Sequence, residues 1–300
     1  MGFFLEDKNI FHEEWGDPKQ AETSQNETAG PESDSKRHKS VKKTIPLYIG
    51  LTTGFCGSFT SFSSFIRDVF LALSNDLPDP SGPSPSRNGG YSFMALVAVF
   101  LTQVALSLAA LKAGSHLALA LDSASLRLPF RLTRRLLDPL FTFLAVGCWI
   151  GSIFLAIFPP RDKKAWRGDA VFAIVFAPLG CLARFYLALF LNARVPSFPM
   201  GTFAANILGT VVLAMCFDLQ RVSGVGASGL VSCQVLQGAM DGFCGCLTTV
   251  STWVAELNGL ARRLQAYVYG VVSVGVALAF VVVITGSLRW TRGFDDPICQ

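Results

Sequence analysis

Charge is scarce in this chain. Only 15% of its 300 residues are Asp, Glu, Lys or Arg, against about 25% in soluble domains. Polar faces at a helical period, which a soluble core protein needs, are also missing from its long apolar runs. Seven runs are long enough to cross a bilayer as helices: Ile45–Ile66, Tyr91–Leu111, Pro139–Phe158, Ala170–Leu191, Phe198–Phe217, Leu230–Ala255 and Gln265–Leu288. They predict an all-α polytopic membrane protein in the lipid bilayer.

Other absences narrow the function. There is no nucleophile–base pair, no paired carboxylates and no phosphate loop, so an enzyme is not expected. No CxxC and no Cys/His cluster occurs among the eight cysteines. Cys56, Cys148, Cys181, Cys216 and Cys244 fall inside predicted spans, and the cysteines are read as small buried hydrophobes rather than as a disulfide or metal framework. The formal charge of +4 sits in loops beside the spans, as membrane topology rather than nucleic acid would have it. MGFFLEDK is not a signal peptide. Glu6 stands where a myristoylation signal needs Ser or Thr.

The polar segments set the organisation. Residues 1–44 are read as a disordered cytosolic tail, and Ser74–Gly90 as an exposed linker rich in Pro, Gly and Ser. The first half of the protein occupies 45–122, a linker region with its own span (139–158) occupies 123–168, the second half occupies 169–290, and 291–300 is a short tail.

One string occurs twice. GFCGSFTSFSSF (Gly54–Phe65) and GFCGCLTTVSTW (Gly242–Trp253) align without a gap at a spacing of 188 residues, with six of twelve positions identical. The copies lie in the first and sixth spans. An odd number of crossings separates them, so they run in opposite directions: an inverted repeat, as in many transporters. The span at 139–158 supplies the inverting crossing. The Lys/Arg bias (Lys36, Arg37, Lys39, Lys42, Lys43, Arg127, Arg131, Arg134, Arg135, Arg262 and Arg263 against Arg161, Lys163, Lys164 and Arg167) puts the N-terminus in the cytosol and the C-terminus outside. The sequon at Asn26 is then cytosolic.

Two glycines three apart, followed by hydroxyls, weaken a helix in mid-membrane. Two such breaks facing each other would present carbonyl oxygens suited to a small cation. The same glycines also serve close helix packing, which is the other reading. The hydroxyls of Thr60, Ser61, Ser63, Ser64, Thr248, Thr249, Ser251 and Thr252 offer donors. Phe62 and Phe65 share a helix face and can turn positive ring edges toward an anion, or simply face lipid or core. Arg184 is a charge inside a span. Asn206 is an amide donor among apolar neighbours, with an interhelical hydrogen bond as its alternative use. Asp68, Asp241 and Glu256 lie near span ends, so no buried acid stands ready to relay protons.

Gly180–Arg184 (G-x-x-x-R), Gly201–Gly209 (GT-x-x-x-N-x-x-G) and Gly242–Thr252 (GFCG-x-x-TT-x-ST) resemble, in order, helices one to three of the CrcB/Fluc fluoride channels. The chain from about residue 46 to residue 290 resembles the eukaryotic, fungal-type fluoride exporter (FEX) family. There, two inverted four-helix units are fused through a linker helix. The resemblance implies a plasma-membrane F⁻ channel working by passive electrodiffusion, monomeric as an internally fused dimer, without an organic cofactor. It implies a structural Na⁺ on the carbonyls of Gly57, Thr60, Gly245 and Thr248. It implies a fluoride path at Phe62, Phe65 and Asn206, with Ser63, Thr249, Ser251 and Thr252 beside it, and a role for Arg184. Val250 and Trp253 stand where the family has two Phe, which implies one degenerate pore. The first half shows helices three and four only. MGFFLEDKNIF resembles the end of a helix two, as a misassigned start or a damaged gene would leave it. A proton-coupled fluoride transporter and a non-transporting membrane protein are the rival readings.

Overall fold

The computed structural model describes residues 1–6, 44–77, 88–121, 132–158, 167–195, 197–222 and 229–299. Outside them lie the tail at 7–43 with its basic cluster and the Asn26 sequon, most of the Ser74–Gly90 linker, Arg127, Arg131, Arg161, Lys163 and Lys164. All regular structure among the described residues is helical. The helices are α1 (Gly2–Glu6), α2 (Pro46–Ile49), α3 (Cys56–Ser58), α4 (Phe62–Ser74), α5 (Gly89–Ala120) and α6 (Asp138–Ile157). They continue with α7 (Ala173–Leu191), α8 (Met200–Arg221), α9 (Leu230–Gly238), α10 (Gly245–Leu247), α11 (Val250–Gly259) and α12 (Arg263–Thr291).

Among the described residues, five helices are long and apolar enough to cross a membrane: Gly89–Ala120, Arg135–Ile157, Ala170–Leu191, Met200–Arg221 and Arg263–Thr291. Large apolar side chains stand outward on them, Phe143 with 76% of its surface exposed, as lipid-facing helices require. The other two expected spans are interrupted. The first runs from α2 through a π-helical segment, Gly50–Phe55, into α3, stops, and restarts as α4. The sixth runs from α9 through a π-helical segment, Ala239–Cys244, into α10, stops at Thr248 and Thr249, and restarts as α11. Both copies of the repeated string therefore unwind at the same place, and the glycine-and-hydroxyl pattern marks real breaks.

The chain divides into two compact units, Met1–Cys56 with Ala109–Cys148, and Gly57–Leu108 with Trp149–Gln300. In the first unit, Gly2–Glu6 is helical rather than part of a disordered tail. Gly2 sits against the backbone of Leu111, and a Cβ on Gly114 would lie 2.9 Å from the Phe3 nitrogen. Two facing glycines let two backbones touch, which holds this short apolar helix in place. Phe4 and Leu47 pack on Ile45 and Tyr48 in the same unit.

In the second unit, α7, α8 and α12 pack around the sixth span. Its C-terminal tail corrects the cysteine expectation. Cys233 and Cys299 form a disulfide, whereas Cys56, Cys148, Cys181, Cys216, Cys244 and Cys246 are free thiols. The tail folds back because Phe294 packs edge-on against Phe217 and the Asp295 N–H donates to the Arg221 carbonyl at 3.3 Å. Spacing in sequence carries no trace of a bond across 66 residues.

Candidate functional site

The two breaks lock to each other. The Ser63 N–H donates to Thr248 Oγ1 at 3.1 Å, and the Ser251 N–H donates to Thr60 Oγ1 at 3.0 Å. Ser63 corresponds to Ser251 and Thr60 to Thr248 in the repeat, so the two bonds are one contact made twice about a pseudo-twofold axis. Each restart is capped in the same way. Ser61 Oγ accepts from the Ser64 N–H at 3.2 Å, and Thr249 Oγ1 accepts from the Thr252 N–H at 3.3 Å. Such hydroxyl caps satisfy the orphan donors of a helix start. The positive ends of α4 and α11 therefore begin at the breaks.

The G-x-x-x-R motif has a spatial logic. Gly180 carries no side chain because the Phe243 carbonyl lies against it. One turn later Arg184, 3% exposed, reaches the other copy of the string. Its Nη2 donates to Ser58 Oγ at 3.2 Å, and its Nη1 lies 2.9 Å from where a Cβ on Gly57 would be. Gly57→Ala should therefore displace a buried guanidinium and lower stability by about 1–3 kcal/mol. At the matching Gly245, a Cβ would meet only the Met240 carbonyl, at 3.8 Å. Gly245→Ala should instead be neutral or stabilising by about 0.5–1 kcal/mol, the usual helical gain. Thermal melts of the two purified variants in detergent check this contrast.

The GT-x-x-x-N-x-x-G motif lies along α8. Gly201 packs on the Leu187 carbonyl, and the Gly201 and Thr202 N–H groups both donate to Asn192 Oδ1, at 2.7 and 3.2 Å. Gly209 makes room for the Thr248 methyl. Between them Asn206, fully buried, clamps the second break. Its Oδ1 accepts from the Thr249 N–H at 2.8 Å, and its Nδ2 donates to the Thr249 carbonyl at 3.3 Å. The clamp occupies one of the two amide hydrogens.

The rings of the two copies meet. Phe62 packs edge-to-face on Phe65 (5.9 Å between centroids) and on Trp253 of the other copy (5.4 Å). All three are at most 4% exposed. Val250 is equally buried and brings no ring. Hydroxyls surround the break. Ser63 Oγ lies 3.1 Å from both Ser61 Oγ and Thr248 Oγ1. Thr249 Oγ1 lies 3.3 Å from both Ser251 Oγ and Thr252 Oγ1. The expected site residues thus converge in one region of the second unit.

Thr202 and Tyr269 were given no role by the sequence reading, and Glu256 was placed only near a span end. Thr202 Oγ1 donates to Glu256 Oε1 at 2.6 Å, and the Tyr269 hydroxyl donates to Glu256 Oε2 at 2.8 Å. Tyr269 is wholly buried. Glu256, near its span end, is therefore a partly buried carboxylate held by two hydroxyls. Thr202 and Asn206 sit four apart on a helix, which puts them on one face. That spacing was the available signal. Nothing local tied Tyr269 to them.

Among the described residues, no group of three His, Cys, Asp or Glu could hold a metal; the oxygen atoms at the breaks belong to hydroxyls and to the backbone. The Thr249 N–H, which a continuous helix would direct to the Gly245 carbonyl, goes to Asn206 instead. Freed carbonyl oxygens are the donor type that hard cations take.

A family model described as "CrcB-like protein, Camphor Resistance (CrcB)" matches residues 171–286. "Fluoride export protein 1" of Neurospora crassa is 55% identical over 317 residues, covering 100% of this chain and 60% of that protein. "Fluoride export protein 1" of Candida albicans is 40% identical, covering 85% of this chain and 65% of that protein. "Fluoride-specific ion channel FluC" of Chromobacterium violaceum is 32% identical over 130 residues, covering 42% of this chain and 95% of that protein. The chain thus spans less than two thirds of the length of the two fungal relatives. No solved structure matches it.

Proposed function

This chain belongs to the CrcB-like family of membrane proteins, and on that premise we propose that it is a fluoride channel passing F⁻ out of the cytosol by electrodiffusion. One observation carries the reading. Reciprocal bonds between Ser63 and Thr248 and between Ser251 and Thr60 join two helix breaks. Rings, hydroxyls and two positive helix ends are thereby gathered in the interior of a membrane protein. Fluoride holds water tightly, and a path for it must replace that water with fixed donors and ring edges. Phe62, Phe65, Asn206, Ser63, Ser251, Thr249 and Thr252 are the groups assigned to that path. Arg184 steadies the first break through Ser58 and Gly57.

The carbonyls of Gly57, Thr60, Gly245 and Thr248 would hold a structural Na⁺, whose chemistry is a fixed positive charge between the breaks. The plasma membrane is the proposed location and the internally fused monomer the proposed state. The Cys233–Cys299 disulfide supports a C-terminus on the outer, oxidising side, since such bonds rarely persist in the cytosol.

The test is purified protein in liposomes loaded with fluoride. Efflux that follows an imposed voltage, with no proton gradient, is expected. No fluoride flux above that of empty liposomes, and no rescue of fluoride-sensitive cells by this chain, would overturn the reading in favour of a non-transporting protein. Phe62→Leu keeps volume but removes the ring, and should slow efflux about tenfold. Val250→Ala should leave efflux unchanged. Equal effects in the two variants would reject the unequal roles assigned to the two copies.

Glu256 favours a second reading, proton-coupled fluoride transport. A carboxylate held between Thr202 and Tyr269 is a group that could carry a proton. Uphill fluoride movement driven by a pH gradient alone, lost in Glu256→Gln, would select that reading.

A further inference from the structure

The indole of Trp253 holds a donor that nothing in the protein satisfies. Trp253 is 2% exposed, and its Nε1 is buried without a hydrogen-bond partner. A second tryptophan shows the ordinary arrangement: Trp149 Nε1 donates to the Val175 carbonyl at 3.1 Å. A buried N–H without an acceptor is destabilising, and such groups are rare in native proteins. Volume does not explain the nitrogen either. In the repeat Trp253 takes the place of Phe65, so a ring suffices to fill the position.

The surroundings narrow what the donor could serve. The face of the site is aromatic, with the Phe62 ring edge-to-face at 5.4 Å and 68°. The six-membered ring carbon Cζ2 neighbours the carbon that bears Nε1, so both lie on one edge of the indole. Cζ2 lies 3.8 Å from where a Cβ on Gly270 would be. The N–H edge therefore runs beside α12 at Gly270, where the Leu257 side chain also packs, its Cδ2 3.4 Å from the same point, and where Tyr269 and Ser273 are wholly buried. An indole N–H donates and never accepts. Such a group favours an anion, rejects a cation, and keeps its proton at any physiological pH.

We propose that Trp253 Nε1–H is a hydrogen-bond donor to the transported halide, at a site between the Phe62 ring and the Gly270 face of α12. The proposal rests on the fluoride reading above and deepens it. The second copy of the string is not simply short of a ring. It exchanges a Phe for a ring that can donate. A small, strongly basic halide gains most from a fixed N–H, which is one of the donors that must stand in for the water fluoride gives up.

The test is ¹⁵N–¹H correlation NMR of protein labelled at its five tryptophans, in detergent micelles, titrated with sodium fluoride and separately with sodium chloride. The Trp253 indole signal is the one that Trp253→Phe or Trp253→Tyr removes. Its proton should move downfield and saturate with fluoride, not with chloride, while the Trp149 signal stays in place. In liposomes Trp253→Phe should slow fluoride efflux about 10- to 100-fold, the range of a hydrogen bond to a charged group. A Trp253 signal indifferent to fluoride overturns the proposal and identifies water or nothing as the acceptor. So does a signal that responds while Trp253→Phe conducts like the wild type. If fluoride shifts the signal but the wild-type protein passes no fluoride, the donor stands and the channel reading falls.

Discussion

Asn206→Asp should stop fluoride efflux almost completely, by about 10²–10³-fold, on two independent grounds. The wild-type amide holds the second break from both sides, accepting from the Thr249 N–H and donating to the Thr249 carbonyl. Asp keeps the acceptor and loses the donor. Its oxygen then faces the Thr249 carbonyl oxygen across a distance that was 3.3 Å as a hydrogen bond. A carboxylate buried without a counter-charge costs about 3–5 kcal/mol. A negative charge beside an anion path adds about 4 kcal/mol of repulsion at 4 Å and an effective dielectric constant of about 20. Asn206→Ser removes the clamp without adding charge, so it should lose less. Efflux from liposomes, with yield and gel-filtration profile as the check on folding, decides the matter. Wild-type efflux from the Asp variant would mean that the clamp and the path are both misassigned.

Gly242→Ala is expected to damage the fold severely. A Cβ there would strike the Ala173 carbonyl and the Ala173 Cα. These are backbone atoms, which no rotamer change can move aside. The α7 backbone would have to shift off the sixth span, taking Arg184 with it. The cost should lie at the top of the roughly 1–3 kcal/mol usual for overpacking, or beyond it. The variant should accumulate poorly and melt early in detergent. The same change at Gly54, its counterpart in the repeat, meets only the Ile49 carbonyl at 3.9 Å and should gain about 0.5–1 kcal/mol from better helix propensity. Equal melting points for the two variants would show that Gly242 is not closely packed.

The sequence by itself determined where the membrane helices run and where two of them break. Apolar length and composition are local properties, and TM-length runs follow from them directly. The breaks were legible because Gly57 and Gly245, followed by Thr60–Ser61 and Thr248–Thr249, weaken a helix and cap its restart within a few residues. The copies at a spacing of 188 residues also gave the inversion, which counting crossings is enough to find. Asn206 and Arg184 stood out because polar groups inside a span need partners.

Which partners they have was decided by the tertiary structure alone. Arg184 crosses to Ser58 of the other copy, and Asn206 holds backbone where the sequence suggested a free donor. Trp253 read as a defect in the second copy until it met Phe62, 191 residues away in the chain. Thr202, Glu256 and Tyr269 come from three different helices. The Cys233–Cys299 bond depends on a tail folded back by Phe294 and Asp295. Each is a contact between segments remote in sequence, fixed by how glycine-lined helices approach one another. Local propensity carries no information about which remote surface will arrive.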